Sequence, residues 1–280
     1  MKRNRCTLGI YRGAPEAVFE KIIREFPIEK VITNRDYEPY AMERDEAIKQ
    51  LLKAQDIDFI TYKDQVIFER NEVVKDDGTP YKVYTPYSRK WLAKYQAEGL
   101  EHFPSEDLLD NIYNENPLPQ TDLKEMGMQS SSLNPVAYKF DDELIDQYEA
   151  TRNFPSIDKT SRLGVHLRFG TQSIRKLISK SASRENQTFV KELIWREFFM
   201  QILWHFPHTV NQCFKKQYDR IEYRNNEEEF EKWCQGKTGY PLVDAGMRQL
   251  NRTGFMHNRV RMLTASFLCK HLLIDWRWGE

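Results

Sequence analysis

Up to about residue 100, short apolar runs alternate with helical patterns. Beyond residue 140, long helical patterns take over with few strand signals. Thr7 to Tyr11 reads as a short β-type run closed by Gly13 and Pro15, and a helical stretch follows from Glu16 to Phe26, ended by Pro27. Lys30-Val31-Ile32-Thr33 reads as a buried strand. A helix is predicted from about Tyr40 to Ala54, with Ala47, Ile48, Leu51 and Leu52 at helical spacing. Phe59-Ile60-Thr61-Tyr62 and Val66-Ile67-Phe68 read as further short strands. Strands alternating with helices predict an α/β domain with a largely parallel sheet. No strand and loop of the kind that open a doubly wound domain stand ahead of Thr7, so that sheet is expected to be incomplete.

Residues 100–140 hold Pro104, Pro117, Pro119, Pro135 and the run Gln129-Ser130-Ser131-Ser132, the composition of an interdomain connector. Asp141-Asp142 can cap a helix reaching Ala150, and long helical patterns run over Glu185–His205, Tyr240–Arg252 and His257–Leu273. There is no internal repeat. The expected organisation is a partial α/β domain over residues 1–99, a linker over 100–140 and an all-α domain over 141–280.

With 40% hydrophobic and 30% charged residues, the composition is that of a soluble globular protein. No apolar run approaches the roughly 20 residues that span a bilayer. The start, MKRNRCTLGIYRG, lacks the apolar stretch of a signal peptide. The expectation is a cytoplasmic protein with no membrane partner. Cys6, Cys213, Cys234 and Cys269 form no CxxC pair, which argues against a zinc site or a disulfide framework. Net charge is zero but segregated: residues 101–150 carry 12 acidic and 2 basic side chains, residues 151–184 carry 8 basic and 1 acidic. Leu163, Val165, Leu167, Phe169 and Ile174 interrupt the basic block, which therefore belongs to folded structure. A folded basic surface is what phosphate binding requires.

Four motifs can carry chemistry. Tyr148 is followed by Arg152-Asn153-Phe154-Pro155 and by Thr160-Ser161-Arg162-Leu163-Gly164. Hydroxyls, a guanidinium and a glycine at a helix start suit a diphosphate, and equally suit a simple helix cap. In Glu192-Leu193-Ile194-Trp195-Arg196-Glu197-Phe198-Phe199, Glu192, Trp195 and Arg196 share one helix surface. That is either a Glu–Arg pair beside a core tryptophan, or a carboxylate and an aromatic platform for a base. Gly236-Lys237-Thr238-Gly239-Tyr240-Pro241 lacks the earlier glycine and the leading strand of a nucleotide-triphosphate loop, so it reads as a turn entering a helix. In Gly254-Phe255-Met256-His257-Asn258-Arg259-Val260-Arg261-Met262, Asn258 and Met262 share a face flanked by arginines.

In this order and spacing the motifs resemble the flavin-binding helical domain of the photolyase/cryptochrome family, from about residue 135 to the last. Within the family they are most like those of class I cyclobutane pyrimidine dimer photolyases. The run TNRDYEPYAMERD at 33–45 looks like the latter part of that family's antenna domain. The resemblance implies FAD as cofactor, held by Tyr148 and by Thr160, Ser161, Arg162, Leu163 and Gly164 around its phosphates. Gly164 stands where the family often has a serine. A folate- or deazaflavin-type antenna chromophore is also implied as an option. Damaged DNA with a flipped pyrimidine dimer would be the partner of a monomer, met by Arg152, Glu192, Trp195, Arg196, Phe199, Asn258 and Arg259. Glu192, Trp195, Asn258 and Met262 would line the repair cavity, where light-excited reduced FAD lends an electron to the dimer and recovers it.

Asn258 and Met262, with no histidine pair at His257, imply cyclobutane rather than (6-4) repair. Trp276 matches the middle member of the family's electron-transfer chain, and Tyr223 stands at the outer position, where slower flavin photoreduction is expected. The resemblance also implies a chain that starts after the first antenna strand and stops before the loop closing the flavin pocket. It would then be a piece of a light-driven repair lyase. A cryptochrome-type photoreceptor and an inactive truncation without cofactor are the alternatives.

Overall fold

A computed structural model of the chain describes residues 8–113, 116–129 and 137–280. Cys6, Thr7, Ser130–Ser132 and Pro135 lie outside the described residues. The chain divides into two compact units, Met1–Ser130 with Glu197–Pro207, and Ser131–Arg196 with His208–Glu280.

The first unit contains α1 (Pro15–Glu25), β1 (Lys30–Asn34), α2 (Pro39–Lys53), β2 (Asp58–Tyr62) and α3 (Tyr84–Glu98). Pro15 and Pro39 open their helices, where the missing N–H costs nothing. The two strands are parallel, in register from Lys30 opposite Asp58 to Asn34 opposite Tyr62, with α2 as the crossover. Ile48, Leu52 and Ile57 form a buried cluster against Phe19, Ile23, Val31 and Phe59, so one face of each amphipathic helix closes on the sheet. Leu8–Tyr11 does not form the predicted strand. Instead the Ile10 N–H donates to the Pro119 carbonyl at 2.8 Å, outside any sheet.

Val66-Ile67-Phe68 departs from the strand reading as well. All three residues are buried, yet the segment is irregular, because its N–H groups find a carboxylate rather than a neighbouring strand. Glu197 accepts from the N–H of Ile67 at 2.7 Å and of Phe68 at 3.1 Å. It also accepts from Trp91 Nε1 at 2.5 Å and the Tyr87 hydroxyl at 3.3 Å. Tyr87 and Trp91 come from α3, a helix the sequence reading did not identify.

The second unit is helical: α4 (Asp142–Thr151), α5 (Gly164–Arg168), α6 (Ile174–Ala182), the start of α7 (Thr188–His205), α8 (Glu227–Cys234), α9 (Pro241–Thr253) and α10 (Asn258–Lys270). Asp141 caps α4 by accepting the Leu144 N–H at 2.8 Å, as predicted. Trp233, Val243, Met247, Met256, Val260, Phe267, Leu268 and Ile274, from α8 to just beyond α10, make one buried cluster. Gly246 lets α9 approach α10: a Cβ there would lie 2.5 Å from Val260 Cγ1. The Gly236–Gly239 segment is indeed a turn entering α9. Buried Asp244 accepts from the Thr238 N–H and hydroxyl at 2.8 and 2.6 Å and from the Gly239 N–H at 3.0 Å. Among the described residues no helix is long and apolar enough to cross a membrane, and no group of His, Cys, Asp or Glu could hold a metal ion.

Candidate functional site

The predicted contact residues of the second unit collect where α4 ends, α7 begins and α10 begins. Arg152 caps the C-terminus of α4, where its positive charge also suits the helix dipole. Its guanidinium lies 5.5 Å from the Tyr148 ring centre and pairs through Nη1 with Glu192 Oε1, on the second turn of α7. Arg152 and Glu192 side chains are about a quarter exposed, at 22% and 28%, so the pair is reachable from solvent without being bathed in it. The next residue, Asn153, accepts through Oδ1 from Arg259 Nε at 2.8 Å. Arg259 in turn reaches Met262 Sδ at 3.5 Å across the first turn of α10. Asn258 opens that helix, and Asn258, Arg259 and Met262 are all exposed.

Tyr148 ties the two arginines into one electrostatic neighbourhood. Burial raises its phenol above the ordinary value, Glu192 raises it further, and Arg152 and Arg259 oppose. Its ring also meets Phe189 of α7 edge-on at 5.0 Å. Trp195 and Arg196 are half-buried on α7, whereas Phe199 is exposed and belongs to the first unit.

Thr160 to Gly164 leads into α5 as the sequence suggested. Thr160, Ser161 and Arg162 are half-buried, Leu163 is buried, and Gly164 is exposed with open space where a Cβ would stand. The Ser161 carbonyl accepts from the Lys139 N–H at 2.9 Å, which ties the stretch to the chain just before α4. Arg162 holds a left-handed backbone at φ 55°, a costly conformation for a residue other than glycine. Its guanidinium pairs with Asp158 at 2.7 Å and lies 5.2 Å from the Phe255 ring, while its Nε is buried without a partner among the described residues.

Two residues past Phe255, His257 is 5% exposed. Its Nδ1 accepts the Arg259 N–H at 3.2 Å, capping α10, and its Nε2 has no partner among the described residues. Burial and then the Arg259 charge pull its pKa below the ordinary value, so the ring is neutral and carries its proton on Nε2. Arg162 Nε and His257 Nε2 are thus two buried donors without a partner among the described residues, each fit for an acceptor-rich ligand.

A family model described as the FAD binding domain of DNA photolyase matches residues 189–280, and one described as DNA photolyase matches residues 1–107. The chain belongs to the DNA photolyase/cryptochrome family. It is 36% identical to the deoxyribodipyrimidine photo-lyase of Alkalihalophilus pseudofirmus over 100% of its own length and 62% of that protein. A class III photolyase from Agrobacterium tumefaciens superposes with a TM-score of 0.83 at 33% identity, over 95% of this chain and 60% of that one. A photolyase of Sulfolobus tokodaii, solved with two FAD molecules, superposes at 0.73 and 29%, over 99% and 62%. The chain thus spans about three fifths of the length of the photolyases it matches.

The mostly helical architecture with a small parallel sheet is the photolyase one. In this photolyase-family chain the two predicted electron-transfer residues share a neighbour. The Trp276 indole stands beside the Cys213 thiol. Burial raises the half-buried Tyr223 phenol, and Cys269, Asp275 and Cys213 act on it electrostatically. Asn153, Asp158 and Phe255 carry no assignment in the sequence reading, yet each fixes a predicted site arginine. Asn153 and Phe255 stand inside motif runs without a role of their own, and that position is the signal that could have found them.

In the first unit the TNRDYEP segment leaves β1 and folds into a polar network. Arg35 forks onto Glu69 through Nε at 3.1 Å and Nη2 at 2.5 Å, and the Tyr37 hydroxyl donates to the same carboxylate at 2.8 Å. Burial alone would raise the Glu69 pKa, but the hydrogen bonds from Arg35 and Tyr37 outweigh it and hold the group ionised below the ordinary value.

Proposed function

We propose that this chain takes part in light-driven repair of cyclobutane pyrimidine dimers in DNA, as the activity of a deoxyribodipyrimidine photo-lyase. The assembly of Arg152, Glu192 and Tyr148 beside Asn153, Arg259 and Met262 carries the reading. It places one carboxylate for a base edge next to two guanidinium groups for backbone phosphates. In this proposal residues 1–99 form the antenna-type domain, 100–140 the linker and 141–280 the FAD- and DNA-binding domain. The partner is damaged DNA with its dimer flipped out, and the protein acts as a cytoplasmic monomer.

FAD fits the residues present. Tyr148 and Thr160–Gly164 would hold it, and Arg162 Nε and His257 Nε2 are the unpartnered buried donors that such an acceptor-rich group would satisfy. Bound and reduced, it would supply the light-driven electron that opens the dimer. Glu192 would hydrogen-bond the flipped base and Trp195 would stack on it, while Asn258 and Met262 line the same cavity. Arg152, Arg196 and Arg259 would meet backbone phosphates, and Phe199 would add apolar contact. Trp276 and Tyr223 would carry electrons to the flavin. The two FAD molecules of the Sulfolobus tokodaii photolyase support a second, light-harvesting chromophore as part of the proposal.

Purified protein is expected to carry flavin, seen in its absorption spectrum, and to remove dimers from an oligonucleotide only under blue light. Trp195→Ala is expected to weaken dimer binding roughly 5- to 160-fold, the equivalent of about 1–3 kcal/mol of base stacking. A protein that takes up no flavin and repairs nothing in light overturns the proposal.

A further inference from the structure

The Arg152–Glu192 ion pair poses a problem for DNA binding. Glu192 is the carboxylate read as the base acceptor and Arg152 a guanidinium read as a phosphate ligand, and here Arg152 Nη1 is bound to Glu192 Oε1. A phosphate that draws Arg152 Nη1 away leaves Glu192 one-quarter exposed, negative and next to an anionic backbone. Arg259 is in a different position: its Nε is held by the neutral Asn153 amide, so its charge stays available. Arg152 and the Asn153 that holds Arg259 are neighbours in sequence, but of the two arginines only Arg152 is paired with an acid.

We infer that the Arg152–Glu192 pair is a partner-exchange gate that discriminates against undamaged DNA. The inference rests on the proposed function and deepens it. On an ordinary duplex the phosphate wins Arg152 only at the cost of an unpaired Glu192, and the pair stays closed. On damaged DNA the flipped base offers Glu192 its own donor, so both members exchange partners together: phosphate for Arg152, base edge for Glu192. Phosphate engagement and base recognition are thereby coupled, and the arginine adds affinity mainly where a base has been flipped. Tyr148, under the guanidinium, keeps Arg152 within reach of both partners. In this scheme Glu192 determines specificity through Arg152 as well as through the base it touches.

The test is binding of fluorescent duplexes, with and without a single cyclobutane dimer, measured across a salt series by anisotropy. Glu192→Gln keeps the shape and removes the charge. It is expected to raise affinity for the undamaged duplex about tenfold. It should also steepen the logarithmic salt dependence by about one, the slope of one added phosphate contact. In an Arg152→Ala background the same Glu192→Gln change is expected to do neither, because no guanidinium is left to release. An equal gain with and without Arg152 means that only the general field has changed and overturns the gate. So does a Glu192→Gln protein whose affinity for undamaged DNA and salt slope match the wild type. A wild-type protein that binds no DNA, or shows no preference for the dimer, removes the proposed function itself and the gate with it. Melting temperatures of the variants within a few degrees of wild type keep the comparison between folded proteins.

Discussion

Glu197→Ala is expected to destabilise the first unit by about 4 kcal/mol or more at neutral pH. The carboxylate is 2% exposed and accepts from two backbone N–H groups, an indole and a phenol. Alanine strands all four donors in a dry site, where each unsatisfied group costs about 1–3 kcal/mol, and some of that cost is relieved by relaxation. Glu197→Gln keeps one acceptor oxygen but turns an N–H toward donors, so it is expected to fall between alanine and wild type. The same residue sets a pH dependence. Burial pushes its pKa up to about 7 against the pull of the Ile67, Trp91, Phe68 and Tyr87 donors. An acid whose folded pKa lies above its unfolded value binds a proton more tightly when folded, so its stabilising contribution is complete below about 4.5 and is lost as pH rises through about 7. Urea midpoints of the wild type are therefore expected to fall between pH 5 and pH 8, and those of Glu197→Gln to stay level in that window. Parallel profiles for the two proteins would rule out Glu197 as the titrating group.

That residue also marks where the sequence stops being informative. Val66-Ile67-Phe68 reads correctly as buried, because three consecutive apolar residues seldom face water. Strand pairing was the wrong inference: the partner of its N–H groups is a side chain about 130 residues later. Nothing in the sequence around Glu197 marks it as buried, and only tertiary structure shows that it faces Tyr87 and Trp91. The helix that supplies those two went unread because Tyr84-Thr85-Pro86-Tyr87 has turn and strand formers in its first turn. By contrast α6 was legible and passed over. Ile174, Leu177, Ile178 and Ser181 are buried at helical spacing, a pattern that stands within the basic block.

The candidate site divides in the same way. Its members were legible one by one, since Arg152, Glu192, Asn258, Arg259 and Met262 stand in long motif runs. Their mutual bonds were not, because Arg152 meets Glu192 and Asn153 meets Arg259 across 40 and 106 residues of chain. Local pattern gives residue types and helix faces; the partner of a charge is fixed by packing between segments.

The packing that carries Asn258, Arg259 and Met262 depends on Gly246, and Gly246→Leu is expected to cost about 4 kcal/mol. A Cβ at 246 would stand 2.5 Å from Val260 Cγ1, 3.2 Å from Thr264 Oγ1 and 3.5 Å from Met256 Sδ. All three neighbours are at most 5% exposed, and Val260, the nearest, is β-branched with little rotamer freedom, so it cannot readily swing aside. Overpacking of this kind costs about 1–3 kcal/mol for small additions and more for a whole side chain. Even Gly246→Ala is expected to lose about 1–2 kcal/mol, because alanine's helix preference of about 1 kcal/mol offsets only part of the clash. The double change Gly246→Ala with Val260→Ala separates this account from a general helix effect. If the two side chains compete for one space, the pair costs less than the sum of the singles in thermal unfolding, by about 1 kcal/mol or more. Strict additivity would mean that α9 and α10 do not meet at Gly246. The same variants bear on the proposed site, since Val260 lies in the first turn of α10 with Asn258 and Arg259: if the proposed function holds, Gly246→Ala is expected to lower affinity for dimer-containing DNA as the start of α10 shifts.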